Sequence, residues 1–228
     1  MDEIFKDVFE INRRLFNNIW NLADTTQNNV KGLSPKLVIP RKRDNSNRVS
    51  EQEARFLFTS LLNTTNYFYS VETPTEKTYK QSGQKPISAA SDLSLYINDN
   101  NILKKVLNIE FKAHNPSKDQ IKKDIEKLIK EDIPGCWNHL FKNIDSGTIP
   151  ALFQKIKESI NELRNEIDGS KEILFSICVI DKKIGFQRLL DIRENDINDF
   201  FKIDYSIKNE NVLINIRNEW MIHRYTDI

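Results

Sequence analysis

The sequence predicts an α/β fold in which helices flank a mixed central β-sheet. Two stretches, 93–97 and 107–113, alternate apolar and polar residues with the period of half-buried strands. Two amphipathic segments follow a serine that suits a helix N-cap, Ser50 in one case and Ser117 in the other. A further stretch, 173–180, is almost wholly apolar, as expected of a strand buried on both faces. We therefore expect a sheet with helices packed against it.

Length and composition suit one intracellular domain. The chain has 228 residues, and its 34 basic and 33 acidic side chains leave a net charge of +1. Nucleic-acid binding would therefore depend on local basic patches. Two cysteines, Cys136 and Cys178, are too few for a zinc cluster and indicate a reducing compartment. Because the N-terminus is charged and no apolar run approaches 18 residues, we expect neither a signal peptide nor a membrane span, and a cytoplasmic location.

We expect the single domain, 1–228, to have three parts. An N-terminal helix and a connecting segment occupy 1–49, the core 50–181, and a C-terminal extension of the core 182–228. The helix, at 2–23, has a wide apolar arc. Either this arc packs wholly on the domain, which we favour, or part of it meets a partner chain.

The helix after Ser50 brings two acidic residues into its first turn. Ser50 and Glu53 have the spacing of a capping box. On a helical wheel, Glu51 lies about 60° from Ala54, beside the apolar stripe, whereas Glu53 lies about 100° to the other side. Glu51 is therefore the better candidate to face a site in the core. The alternative, that both are first-turn acids favoured by the helix dipole, stays open.

The next elements are predicted to be a strand, a loop and a β-hairpin. Residues 67–73 are strand-like and Pro74 is expected to end that strand, with a loop at 77–88. The two alternating stretches then flank a polar turn at 98–101 and form an antiparallel hairpin.

The hairpin places charged side chains together. If Asp92 faces Glu110, the paired residue numbers sum to 202 and the turn centres on residue 101. This register puts Asp92, Glu110 and Lys112 on one face, with the two carboxylates about 5 Å apart at Cβ. Like charges at that distance are unfavourable unless a cation lies between them.

After the hairpin, Ser117 and Gln120 form a second capping-box pattern, and the helix at 118–131 has an apolar stripe. We expect an irregular segment at 132–150 and a helix at 152–167. Through this helical crossover, the apolar strand 173–180 would become the parallel neighbour of strand 107–113. A further strand is predicted around 212–216.

These residues carry a family resemblance. Asp92, followed 18 residues later by Glu110-Phe111-Lys112, resembles the PD-(D/E)XK signature of restriction endonucleases, resolvases and repair nucleases. Ser91 stands where the motif's name has proline, a position that varies in this superfamily. The resemblance extends over roughly 50–131, including the flanking helices, and implies a restriction-endonuclease-like core with an extra N-terminal helix.

The resemblance implies metal-dependent hydrolysis of phosphodiesters, with a 5′-phosphate left on the product. Asp92 and Glu110 would supply carboxylates to Mg²⁺, or to Mn²⁺ as a substitute, because these ions prefer oxygen ligands. The backbone carbonyl of Phe111 and the carboxylate of Glu51 would be further ligands. Lys112 would orient the attacking water or stabilise the developing charge.

Three functions are compatible with this resemblance. The first is a DNA endonuclease with a restriction or other antiviral defence role. The second is a structure-specific or exonucleolytic repair nuclease, and the third is a non-catalytic interaction module that retains the nuclease fold. The intact Asp92, Glu110 and Lys112 argue against the third. The residues do not separate DNA from RNA, and the N-terminal helix leaves open a homodimer or a place in a larger defence complex.

Overall fold

The computed structural model describes residues 2–24, 37–48, 50–79, 87–166, 169–192, 197–203 and 217–225. Within these residues, seven strands form one mixed sheet, and their order in space is their order in the chain. The strands are β1 (Phe68–Tyr79), β2 (Ile87–Asp99), β3 (Ile102–Ala113), β4 (Gly135–Phe141), β5 (Glu172–Val179), β6 (Ile184–Asp191) and β7 (Met221–Arg224). The helices are α1 (Asp2–Asp24), α2 (Glu51–Leu62), α3 (Lys118–Lys130), α4 (Thr148–Leu163) and the short α5 (Ile197–Phe200). The predicted mixed sheet flanked by helices is confirmed.

The helices divide between the two faces of the sheet. The pairs β3–β4 and β4–β5 are parallel, and the other neighbouring pairs are antiparallel. Helices α3 and α4 make the two parallel crossovers, and their apolar residues share one core with one face of the sheet. The apolar residues of α1 and α2 share a second core with the other face.

The predicted hairpin register is confirmed around the acidic residues. Leu93 pairs with Ile109, so the paired residue numbers sum to 202 as expected, and a bulge after Leu95 shifts the pairing by one toward the turn. Asn100 and Asn101 form the turn with φ angles of 53° and 68°. Both values are left-handed, as a two-residue type I′ turn requires.

The prediction that Pro74 ends the first strand is wrong. Strand β1 continues to Tyr79, with an irregularity between Pro74 and Thr78. Because β1 is the outermost strand, its proline can lie where no neighbour needs an N–H donor. Part of the loop expected at 77–88 is therefore strand, and β2 begins at Ile87.

The prediction that 132–150 is irregular is also wrong. This segment contains β4, all seven residues of which are buried. Strand β4 lies between β3 and β5, so the apolar strand 173–180 is not the direct neighbour of β3. Asn138 and His139 interrupt the apolar pattern that would have indicated a doubly covered strand. The strand expected at 212–216 lies outside the described residues.

Helix α1 packs across the strands that come last in the chain. The ten residues of its apolar arc are all at most 9% exposed: Ile4, Phe5, Val8, Phe9, Ile11, Leu15, Phe16, Ile19, Trp20 and Leu22. The indole N–H of Trp20 donates to the carbonyl of Val179 at 3.1 Å, and the amide of Gln187 donates to the carbonyl of Phe9 at 3.0 Å. Core packing alone is confirmed, and the described helix leaves none of these residues to a partner chain. Neither α1 nor any other described helix has the length and apolar character of a membrane span.

His223 lies in this second core, away from the acidic hairpin face. Its ring contacts those of Phe9 and Phe16, with centroids 5.1 and 5.8 Å apart, and its Nε2 is 3.1 Å from the amide of Gln187. Burial, and then the positive charge of Arg13, lowers the pKa of His223 to about 4.

We expect His223 to make the protein sensitive to mild acid. The unfolded chain takes up a proton near pH 6.5 and the folded chain only near 4, so stability is lost as the pH falls between these values. At pH 5, His223 contributes about 2 kcal/mol to this loss. Urea unfolding at pH 7 and pH 5 measures it, and His223→Gln should lose about 2 kcal/mol less than the wild type. An equal loss in both proteins would contradict this assignment.

Candidate active site

Asp92 lies where β2 is tied to helix α2. The residue of β1 opposite it, Glu72, has a left-handed φ of 49°, a conformation that non-glycine residues seldom adopt. One guanidinium nitrogen of Arg55, Nη1, contacts the Glu72 carboxylate and donates to the carbonyl of Asp92 at 3.4 Å. Arg55 therefore links α2 to the distorted residue of β1, Glu72, and to the β2 backbone at Asp92.

Asp92 and Glu110 face each other across the hairpin. The register of the adjacent pairs places them opposite one another. Oδ2 of Asp92 accepts a hydrogen bond from the backbone N–H of Phe111 at 2.7 Å, while the Phe111 ring packs on Phe58 in the core on the other side of the sheet. The Glu110 side chain is fully buried. One oxygen of Asp92 is thus held by the β3 backbone, directly beside Glu110.

Helix α2 brings a second acidic residue to the end of β3. Oε1 of Glu51 accepts from the backbone N–H of Ala113 at 3.2 Å. Burial raises the pKa of Glu51, and the charges of Asp92 and Asp124 add to that rise, while Lys112 opposes it. Glu51 therefore belongs to the same electrostatic cluster as the hairpin residues.

Glu53 lies elsewhere, as the helical wheel predicted. Its carboxylate accepts from Arg48 at 3.1 Å. The prediction of a capping box between Ser50 and Glu53 is wrong. The Ser50 hydroxyl accepts from the backbone N–H of Gln52, at 3.1 Å, instead of that of Glu53. Ser50 remains the N-cap of α2.

Helix α3 adds two charged residues that sequence reasoning missed as site residues. Lys112 lies 2.9 Å from Oδ2 of Asp124. The ammonium of Lys127 contacts Glu110, lies 3.5 Å from Oδ1 of Asp124 and donates to the carbonyl of Ala90 at 3.1 Å. The available signal was their spacing, because residues three and four apart share a helix face and these two lie in register with the buried apolar stripe of α3.

The cluster carries more negative than positive charge. It comprises the carboxylates of Glu51, Asp92, Glu110 and Asp124 and the ammonium groups of Lys112 and Lys127. Four negative charges against two positive give a formal balance of −2. Burial raises the pKa of Glu110 well above its usual range and raises that of Asp124, with Lys127 opposing both shifts. Burial lowers the pKa of Lys127, but Glu110 and Asp124 outweigh it and the net shift is upward.

The donor set fits magnesium in chemistry and in charge. Its ligands would all be oxygens, and one divalent cation would balance the formal charge of −2. Oε1 of Glu110 is buried and has no hydrogen-bond partner among the described residues. Within the described ranges, no three His, Cys, Asp or Glu side chains converge closely enough to hold a metal. Backbone N–H groups hold one oxygen each of Asp92 and Glu51, and Lys127 holds Glu110, so side-chain rotation is needed to form a complete site.

Comparisons of the chain with protein-family models, curated proteins and solved structures find no match. The resemblance to PD-(D/E)XK nucleases therefore depends on the residues of this site.

We expect the carboxylates of the cluster to determine Mn²⁺ affinity. Asp92→Asn and Glu51→Gln keep an oxygen that can accept the observed backbone hydrogen bond but remove the charge. Each should weaken binding about tenfold or more, since even an outer-shell partner of a metal site is typically worth ~10–100-fold. Isothermal titration calorimetry measures the affinities. Glu53→Gln, in the same helical turn, is the matched control and should bind like the wild type; equal binding by Asp92→Asn would refute the site.

Proposed function

We propose that this chain is a Mg²⁺-dependent nuclease of the PD-(D/E)XK type, with a restriction-endonuclease-like core, that hydrolyses phosphodiester bonds in DNA. A restriction or other defence role is the biological context we favour. The observation that carries the proposal is the pairing of Asp92 and Glu110 across an antiparallel hairpin. Lys112 follows Glu110 by two residues, and the carboxylate of Glu51, from α2, is bound at the end of the same strand, β3. A helix on each side of the hairpin supports it.

The residues of the cluster divide into metal ligands and a charged donor in this mechanism. Asp92 and Glu110, with Glu51 and the Phe111 carbonyl, would hold the metal ion. When bound, Mg²⁺ supplies a Lewis acid that polarises the phosphoryl oxygens and makes the attacking water more acidic. The chain itself has to place that water and the phosphate against the carboxylates.

Lys112 suits the role of a charged donor. Burial lowers its pKa, but the charge and hydrogen bond of Asp124 outweigh this, and the pKa of Lys112 is raised. Without metal, Lys112 therefore keeps its proton at neutral pH, which suits a charged donor better than a general base. It can donate hydrogen bonds to the attacking water or to the phosphate, where positive charge stabilises the transition state. Asp124 is the residue that positions it.

A non-catalytic module is favoured by one observation. The two lysines of the cluster already pair with Glu110 and Asp124, so the charges could serve only to hold α3 on the sheet.

Cleavage assays separate the nuclease from the non-catalytic module. Purified protein with Mg²⁺ or Mn²⁺ should be incubated with supercoiled, linear duplex and single-stranded DNA, and with RNA. Nicking of supercoiled DNA indicates an endonuclease, whereas shortening of linear ends alone indicates an exonucleolytic repair enzyme. The module would be favoured if the wild type cut none of these substrates, or cut them no faster than Asp92→Asn does.

We expect Lys112→Ala to separate metal binding from cleavage. The variant should bind Mn²⁺ and DNA but cut more slowly, because the loss of one preorganised electrostatic group typically costs on the order of 10²–10³ in rate. Single-turnover cleavage at saturating Mg²⁺ measures the effect. Lys104→Ala removes an exposed lysine from the same strand and is the control. Cleavage by Lys112→Ala at the wild-type rate would remove Lys112 from the mechanism.

A further inference from the structure

Lys127 makes three polar contacts in a place that water barely reaches. Its side chain is 6% exposed, and its ammonium meets the Glu110 carboxylate, Oδ1 of Asp124 and the carbonyl of Ala90. These partners come from β2, β3 and α3 itself. Three acceptors match the three donors of an ammonium group, so Lys127 is well satisfied where it lies.

Glu110 is satisfied on one side only. Lys127 binds Oε2, while Oε1 is buried with no hydrogen-bond partner in the part of the chain that the structure describes. A buried carboxylate that keeps an open oxygen beside Asp92 is poised for a second cation. That cation would meet a positive charge already bound to the same carboxylate.

We infer that Lys127 is an internal counter-ion of Glu110 that competes with the divalent metal and passes to Asp124 when the metal binds. This inference rests on the proposed function, since it concerns the same site. Asp124 can accept the ammonium of Lys127 without a large movement, because Nζ of Lys127 already lies 3.5 Å from Oδ1 of Asp124. The carbonyl of Ala90 can stay bound to the ammonium during the shift. Lys127 thereby keeps the acidic residues folded together without metal and lowers the affinity for metal.

The test measures Mn²⁺ binding in Lys127→Met and Lys127→Gln by calorimetry. Both variants remove the charge, and the second can still donate a hydrogen bond. The dissociation constant should fall on the order of tenfold, because a competing unit charge at hydrogen-bond distance is gone. A purely structural lysine predicts the opposite, since its loss would loosen the site and weaken binding.

Lys105→Met is the matched control. Lys105 is also a poorly exposed lysine that pairs with a buried glutamate, Glu131, at 3.5 Å. The oxygens of Glu131 are already bonded to the backbone N–H groups of Glu76 and Lys77. Mn²⁺ affinity should not change in Lys105→Met. A tenfold gain in this control as well would show a general charge effect and overturn the inference.

Stability provides a second measurement. Removing one partner of a buried ion pair is strongly destabilising, so Lys127→Met should unfold at a lower urea concentration than the wild type in chelator. Saturating Mn²⁺ should raise the urea midpoint of Lys127→Met more than it raises that of the wild type. The double variant Glu110→Gln/Lys127→Met should not show this larger rise. If Lys127→Met is unfolded in chelator, Mn²⁺ should fold it, as followed by circular dichroism. Failure of Mn²⁺ to do either overturns the inference.

Failure of this inference can be told from failure of the proposed function. If the wild type binds Mn²⁺ in a manner that depends on Asp92, but the Lys127 variants bind equally or more weakly, only the counter-ion role is refuted. If neither the wild type nor any variant binds Mn²⁺ and no substrate is cut, the proposed function falls and the inference falls with it.

Discussion

Helix α3 is joined to the sheet by the ion pair of Lys127 and Glu110, and much of the candidate site depends on that pair. Taking two charges out of water costs several kcal/mol per ion, so in the metal-free protein each needs the other as its oppositely charged partner. The pair therefore fixes how α3 is rotated about its axis. That rotation in turn places Asp124 against Lys112, because Asp124 lies on the same face of the helix. A change in how α3 is seated would move the lysine proposed to act in catalysis.

The parts of the fold that could be predicted from the sequence are those with local signals. The alternation of apolar residues and the run of turn-forming Asn and Asp side chains are enough to fix the hairpin register around Asp92 and Glu110, because a slip by one residue there would move the apolar side chains to the wrong face. The wheel position of Glu51 relative to Ala54 likewise follows from helix geometry alone. The sequence alone therefore places Asp92, Glu110 and Lys112 on one face.

The parts that could not be predicted depend on distant partners. Strand β4 contains Asn138 and His139 in its middle, and only the helices packed on one face and α1 on the other explain why a strand with these residues is buried. The pairing of Lys127 with Glu110 joins residues 17 positions apart in different elements. A charged residue in an apolar stripe is a visible signal, but the residue that neutralises it cannot be identified without the three-dimensional structure.

The seating of α1 has a consequence for the order in which the protein can assemble. Helix α1 precedes the strands β5 and β6 that it covers, and Trp20 reaches Val179, a contact that spans 159 residues. During translation α2 can pack on α1 early, but the apolar residues of α1 that cover β5 and β6 lack these partners until most of the chain has emerged. Such distant contacts slow folding, and apolar surface that stays exposed in the meantime promotes aggregation. A nascent or truncated chain that lacks β5 and β6 would thus expose part of the apolar face of α1. Exposed apolar surface of this kind is what chaperones bind during synthesis.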